Sequence, residues 1–133
     1  IRGASARGVK VRVVIPQKVD SIMARYASQS YYDELLSSGV ELYLYHDGLL
    51  HTKSITVDGH VSMFGTVNFD MRSLWLNYEV ALFVYDDGFG GKLRELQQGY
   101  LDRSERVDHD AWSKRSFGKQ LLQNTLRLVS PLL

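Results

Sequence analysis

The feature that most constrains this chain is the dipeptide Asp58-Gly59, set between alternating runs at residues 51–57 and 60–66. Two-residue primed turns require positive φ at both central positions, and Asp-Gly between alternating apolar residues is the strong local signal for one. The turn implies an antiparallel hairpin and also a register. Val57 is expected to face His60, Ile55 to face Ser62, Lys53 to face Phe64 and His51 to face Thr66. Directly opposed residues share a face, as do residues two apart on one strand. His51, Lys53, Thr66 and Asn68 are therefore expected together on one face at the open end of the hairpin. An imidazole, an ammonium, a hydroxyl and a carboxamide in one place suit an anion. Gly65 removes a side chain beside them, which predicts room for a ligand close to the backbone. No metal-ligand spacing accompanies these residues, so the cluster reads as a phosphate site without metal or cofactor.

Composition narrows the alternatives. A chain of 133 residues suits one domain able to bury roughly 70% of its unfolded surface. The formal net charge of +1 gives no basic signal for nucleic acid, and no such partner is expected. Without cysteine there is neither disulfide nor thiolate chemistry. The first residue is Ile1 and no long apolar run is present, so the chain reads as a piece of a larger protein.

The remaining segments predict an α/β fold with a mixed sheet flanked by helices. Residues 9–15 alternate and stop at Pro16, as a strand does, and 40–45 form a second strand. Between them a helix is expected from Asp20 or Ser21 to about Ser37, stopped by Gly39. Strand, helix, strand implies a crossover in a mostly parallel sheet, made mixed by the hairpin. Residues 69–75 read as a short helix or turn, 77–85 as a strand, Asp86-Asp87-Gly88 as a turn and 90–103 as a helix. His46, His60 and His109 have no matching partners and default to solvent or packing. The domain proper is placed at 1–110. The tail 111–133 carries Lys114, Arg115, Lys119 and Arg127 among apolar residues and no acidic one. It suits either an anionic membrane surface or packing on the core.

His51-x-Lys53 with Asp58, then Gly65-Thr66-x-Asn68, resembles the HxKxxxxD…G(S/T)xN signature of the phospholipase D superfamily, with Thr66 where most members carry Ser. The runs HTKSITVDG and GTVNFDMRSLWLNYEVALFVYD and the closing SPLL are similar to the second catalytic half of bacterial cardiolipin synthases. The resemblance covers nearly the whole chain.

That resemblance implies a phosphatidyltransferase acting on phospholipid at a bacterial inner membrane. It implies catalytic roles for His51, Lys53, Asp58, Asn68 and Glu79, with Thr66, Gly65 and Arg72 near the substrate. Lys53 and Asn68 would hold the non-bridging oxygens, with a further hydrogen bond from Thr66. Glu79 would orient the His51 imidazole, as a triad carboxylate does. Asp58 is the motif carboxylate, although the register leaves it at the turn in a structural role. Arg72 would reach a phosphate or brace the short helix through Asp70. One histidine cannot be nucleophile and proton donor at once, so the chemistry calls for a second motif. Its source would be an N-terminal catalytic half of the parent or a second copy of this chain. In two-half members the first-half histidine is usually the nucleophile, which gives His51 the acid–base role. Leu74, Trp75, Leu76 and Tyr78 could line a lipid-facing mouth; packing beside the strand is the preferred reading. The competing functions are a phosphodiesterase of the same superfamily (phospholipase D or nuclease) and an inactive isolated half.

Overall fold

The computed structural model describes residues 1–19, 22–68, 73, 75–116, 118, 121 and 125, with the side chains of 22–24 and 27 left aside. In chain order its first elements are α1 (Arg2–Ala6), β1 (Arg12–Pro16), α2 (Ile22–Gln29), α3 (Tyr32–Ser37) and β2 (Glu41–Tyr45). Then come β3 (Ser54–Val57), β4 (Val61–Gly65), β5 (Ala81–Tyr85), α4 (Asp87–Leu101), β6 (Ser104–Arg106) and α5 (His109–Ser113). The class is mixed α/β, as the sequence predicts. The chain forms two compact units, Ile1–Leu49 with Arg103–Leu133, and Leu50–Asp102. Each has its own three-stranded sheet in place of the single mixed sheet expected.

In the first unit β2 lies centrally, parallel to β1 (Val13↔Leu42, Ile15↔Leu44) and antiparallel to β6 (Leu44↔Glu105). The expected helix between β1 and β2 is two helices. At their junction the Tyr31 N–H bonds to the Ser28 carbonyl, tightening the turn so that Tyr32 enters the core. Leu42, Val40, Tyr45 and Tyr32 are the buried apolar residues here. Burial raises the Tyr32 phenol well above its ordinary pKa, so it stays neutral. Trp112 of α5 packs on Tyr32 with ring centroids 5.0 Å apart. The Arg115 guanidinium lies over Trp112 and grips both carboxylate oxygens of Asp33. Trp112 and Arg115 of the tail are thus packed against α3. Phe117, Lys119 and residues 126–133 lie outside the described residues.

The second unit is the antiparallel sheet β3-β4-β5 with α4. Asp58 and Gly59 have φ of 54° and 76°, and the His60 N–H bonds to the Val57 carbonyl at 3.1 Å, so the primed turn forms. The register does not follow from it. Val57 pairs with Val61, Ile55 with Met63 and Ser54 with Phe64, one residue away from the expected pairing. His60 is the extra residue, a one-residue bulge. Contacts with α4 hold it there. The His60 carbonyl accepts from the Asp86 N–H, and its Nδ1 lies 2.6 Å from Asp87 Oδ1. A Cβ on Gly90 would sit 2.0 Å from the Gly59 carbonyl oxygen, so helix and turn meet backbone to backbone. Asp86-Asp87-Gly88 is accordingly a helix start, with the Asp86 side chain capping the Phe89 N–H at 2.6 Å.

The slip decides which face packs. Ser54, Thr56, Ser62 and Phe64 share the face turned to α4. There Gln97 bonds to Ser54 and Thr56, and Phe64 stacks on Phe89 at 5.6 Å. The opposite face carries Val57, Phe83 and Tyr85, all exposed.

Candidate active site

The functional side chains gather where β3 begins and β4 ends, beside the entry to β5. With the register shifted, Lys53 stands opposite Gly65, whose N–H bonds to the Lys53 carbonyl at 3.1 Å. His51 and Lys53 remain together. The Lys53 ammonium donates to the His51 backbone carbonyl at 3.0 Å, so the cation is held beside the imidazole-bearing residue.

Gly65 has a different reason from the one expected. A Cβ there would lie 2.0 Å from the Val80 carbonyl oxygen and 2.8 Å from Ala81 Cα. The space freed by the missing side chain is filled by the neighbouring chain and offers no ligand an approach. That contact also fixes Thr66. Its N–H donates to the Val80 carbonyl at 2.9 Å, and its hydroxyl accepts from the Val80 N–H at 3.0 Å.

Glu79 is the hub. Its Oε2 accepts the Thr66 hydroxyl at 2.5 Å and its Oε1 the Asn77 amide at 3.4 Å. The Thr66 hydroxyl first, then the Ser73 hydroxyl, the Asn77 amide and the Lys53 charge, hold the Glu79 carboxyl below the usual carboxylate range. Glu79 therefore stays ionised at neutral pH, and the Lys53 charge contributes to that. Among the described residues none hydrogen-bonds to the His51 ring, so Glu79 braces Thr66 here and does not touch the imidazole it was expected to orient. The Thr66 hydroxyl proton, expected on a phosphate, is spent on Glu79.

The structure thus brings Thr66, Asn77 and Glu79 together, while Lys53 is bonded to the backbone carbonyl of the exposed His51. Asn68 is exposed and bonds to none of them. Asp58 sits in the turn at the far end of the hairpin, as its structural reading requires. Arg72 lies outside the described residues. Ser73 and Asn77 are additions to the site; only their nearness to Glu79 in the chain pointed to them. His46 and His60 do have partners, Gln17 and Asp87, each at 2.6 Å. Trp75, Leu76 and Tyr78 are exposed, which overturns the reading that they pack beside the strand, and Leu74 lies outside the described residues. Among the described residues no group of His, Cys, Asp and Glu could hold a metal ion.

Residues 1–100 match the family model described as cardiolipin synthase, PLD-like domain. The chain belongs to that family. It is 46% identical over 130 residues to cardiolipin synthase A of Erwinia tasmaniensis, and 48% identical over 130 residues to that of Serratia proteamaculans. Each alignment takes in 98% of this chain and 27% of the relative, so the chain spans about a quarter of the proteins it matches. Among solved structures it is similar to Nuc of Salmonella typhimurium, a phospholipase D family member. The TM-score is 0.68 at 23% identity, over 80% of this chain and 69% of that one. That likeness speaks to the fold.

Proposed function

We propose that this PLD-like domain is the C-terminal half of a bacterial inner-membrane phosphatidyltransferase that makes cardiolipin from phosphatidylglycerol. Within it, 1–110 forms the catalytic half and 111–133 a basic amphipathic tail. The observation that carries the reading is the Lys53 ammonium held at the His51 carbonyl, at the end of the hairpin where Thr66 bonds to Glu79. It ties a cation to the backbone of the imidazole-bearing residue at an open surface, in a chain of this family.

The chemistry needs two imidazoles. One attacks the phosphorus of phosphatidylglycerol; an N–P bond forms, the P–O bond to the headgroup glycerol breaks, and the other imidazolium protonates the departing alkoxide. That second imidazole, now neutral, takes the proton from the hydroxyl of a second phosphatidylglycerol. The freed oxygen attacks phosphorus, and the N–P bond breaks to give cardiolipin. His51 fits the acid–base role. The nucleophile then comes from the N-terminal half of the parent, or from a second copy where the chain acts alone. Lys53 and Asn68 stabilise the charge on the phosphoryl oxygens. Arg72 and Thr66 border the substrate, with Gly65 keeping Thr66 in place. Glu79 is a positioning residue that holds the Thr66 hydroxyl.

The test is turnover by the parent polypeptide on labelled phosphatidylglycerol. Cardiolipin and free glycerol are expected, and His51→Asn should abolish both. Phosphatidic acid without cardiolipin would replace the transferase by a hydrolase, and undiminished turnover by His51→Asn would remove the residue's role.

A further inference from the structure

Helix α4 reads the two strands of the hairpin with different side chains, about two turns apart on the helix. The Gln97 carboxamide spans β3: its oxygen accepts from the Thr56 hydroxyl, and its nitrogen donates to Ser54 Oγ at 3.1 Å. Strand residues two apart share a face, so one carboxamide holds both only when that face meets α4. Phe89 reads β4, stacking on Phe64 with ring centroids 5.6 Å apart. Ser54 pairs with Phe64 and Thr56 with Ser62, so both contacts are satisfied together. Gln97 reads β3 alone: the hydroxyl of Ser62, fully buried opposite Thr56, has no partner among the described residues.

The pairing that a bare two-residue turn favours cannot satisfy both contacts. It sets Ile55 against Ser62 and Lys53 against Phe64, and a slip of one residue turns one strand over relative to the other. Either β4 turns and Phe64 leaves Phe89, or β3 turns and Gln97 meets Ile55 in place of Ser54 and Thr56. In the second case a half-buried carboxamide loses both partners against an apolar side chain.

We propose that Gln97 is a positioning residue for the reaction: it fixes the face of β3, and with it the pairing that sets Lys53 opposite Gly65. The bond from the Gly65 N–H to the Lys53 carbonyl, at 3.1 Å, belongs to this pairing. With β3 turned over, Lys53 stands opposite Phe64, on the face that packs on α4. It is then one residue out of step with the end of β4, where Thr66 bonds to Glu79. Gln97 acts through Ser54, the neighbour of Lys53 in the chain. The inference rests on the phosphatidyltransferase reading for the role of Lys53; the choice of register does not.

Cross-strand NMR contacts in this chain report the register directly: Ile55 to Met63 as observed, Ile55 to Ser62 after a slip. Gln97→Leu should raise the slipped population by more than about tenfold, since two hydrogen bonds no longer oppose it. The Gly65 amide should then exchange faster. Gln97→Glu should restore the observed pairing, because a carboxylate accepts from both hydroxyls once they rotate. Gln98 bonds within its own helix, to Asp102 at 2.8 Å, so Gln98→Leu should leave the pairing unchanged. If Gln97→Leu fails to fold, Ser54→Ala with Thr56→Val removes the same two bonds from the strand side and should slip likewise. In the parent polypeptide, Gln97→Leu should lower kcat for cardiolipin by about tenfold or more with KM little changed, and Gln97→Glu should recover it. The inference falls if the Ile55–Met63 contact and the protected Gly65 amide survive the loss of both bonds. It falls equally if the hairpin slips while kcat holds or rises, or if Gln97→Glu slips as far as Gln97→Leu. A slip in a parent that makes no cardiolipin leaves Gln97 as the register residue and removes the transferase reading instead.

Discussion

Replacing Gly65 by Ala should separate β4 from β5 and take the site apart. The added Cβ lies 2.0 Å from the Val80 carbonyl oxygen, 2.8 Å from Ala81 Cα and 3.0 Å from the Val80 carbonyl carbon. All three are backbone atoms, so no side chain can swing away. To reach an ordinary contact of at least 3.4 Å the strands must part. The two bonds that tie Thr66 to Val80, at 2.9 and 3.0 Å, then open beyond hydrogen-bonding length. Each is worth about 1 kcal/mol, and overpacking adds about 1–3 kcal/mol. Ala in place of Gly returns up to about 1 kcal/mol through the unfolded chain. The net loss is about 2–5 kcal/mol, a large share of a small domain's stability.

Two measurements check this. Urea unfolding followed by far-UV circular dichroism should show a lower midpoint for Gly65→Ala. Hydrogen exchange should show the Thr66 and Val80 amides protected in the parent sequence and open in the variant. Gly91→Ala is the control. Nothing lies within 4 Å of its added Cβ, and in a helix interior it should gain about 0.5–1 kcal/mol. A Gly65→Ala variant as stable as Gly91→Ala, with both amides still protected, would refute the close approach of β4 and β5.

Two further outcomes follow from the charges. Thr66→Val removes the main cause of the depressed Glu79 pKa, so the carboxyl should titrate nearer its usual range, read by carbon-13 NMR of the Glu79 carboxylate. A depressed carboxylate stabilises the fold above its unfolded pKa and loses that contribution as pH falls through the folded value; in Thr66→Val the contribution should be smaller and its loss complete at higher pH. Asp33→Asn leaves the Arg115 guanidinium, with a side chain only 10% exposed, without its charged partner and should cost about 2 kcal/mol at neutral pH. Arg115 holds Asp33 below its ordinary range, so the difference from the parent sequence should vanish as acid protonates Asp33. Urea midpoints at neutral and acid pH measure both ends.

What was legible in the sequence was local. The Asp58-Gly59 turn could be read because the backbone conformation it needs belongs to those two residues. The strands at β1, β2 and β4 could be read because their side chains alternate. The bulge at His60 could not, since Asp86, Asp87 and Gly90 impose it from about 27 residues further along the chain. Asp86 and Asp87 read as a turn because a helix cap and a turn use the same residue types. The strand β6, Ser104-Glu105-Arg106, has no apolar alternation and exists only by pairing with the edge of β2. Gly65 was read as a gap for a ligand because the chain that fills it, at Val80, is distant in sequence.

The one-residue slip has a chemical consequence. Strict alternation in the observed register puts Thr66 and Asn68 on the face away from His51 and Lys53, which would scatter the cluster expected from the hairpin. The pleat, however, binds only residues within the ladder, and β3 starts at Ser54 while β4 stops at Gly65. Beyond those ends the third strand takes over. Val80 turns Thr66 and Thr66 bonds to Glu79, whose carboxyl the Lys53 charge helps keep ionised. Asn68, which no part of β5 holds, stays outside the network. The site is therefore assembled by the approach of β5 to the end of the hairpin, and the contact that Gly65 permits is what lets the Thr66 hydroxyl reach Glu79.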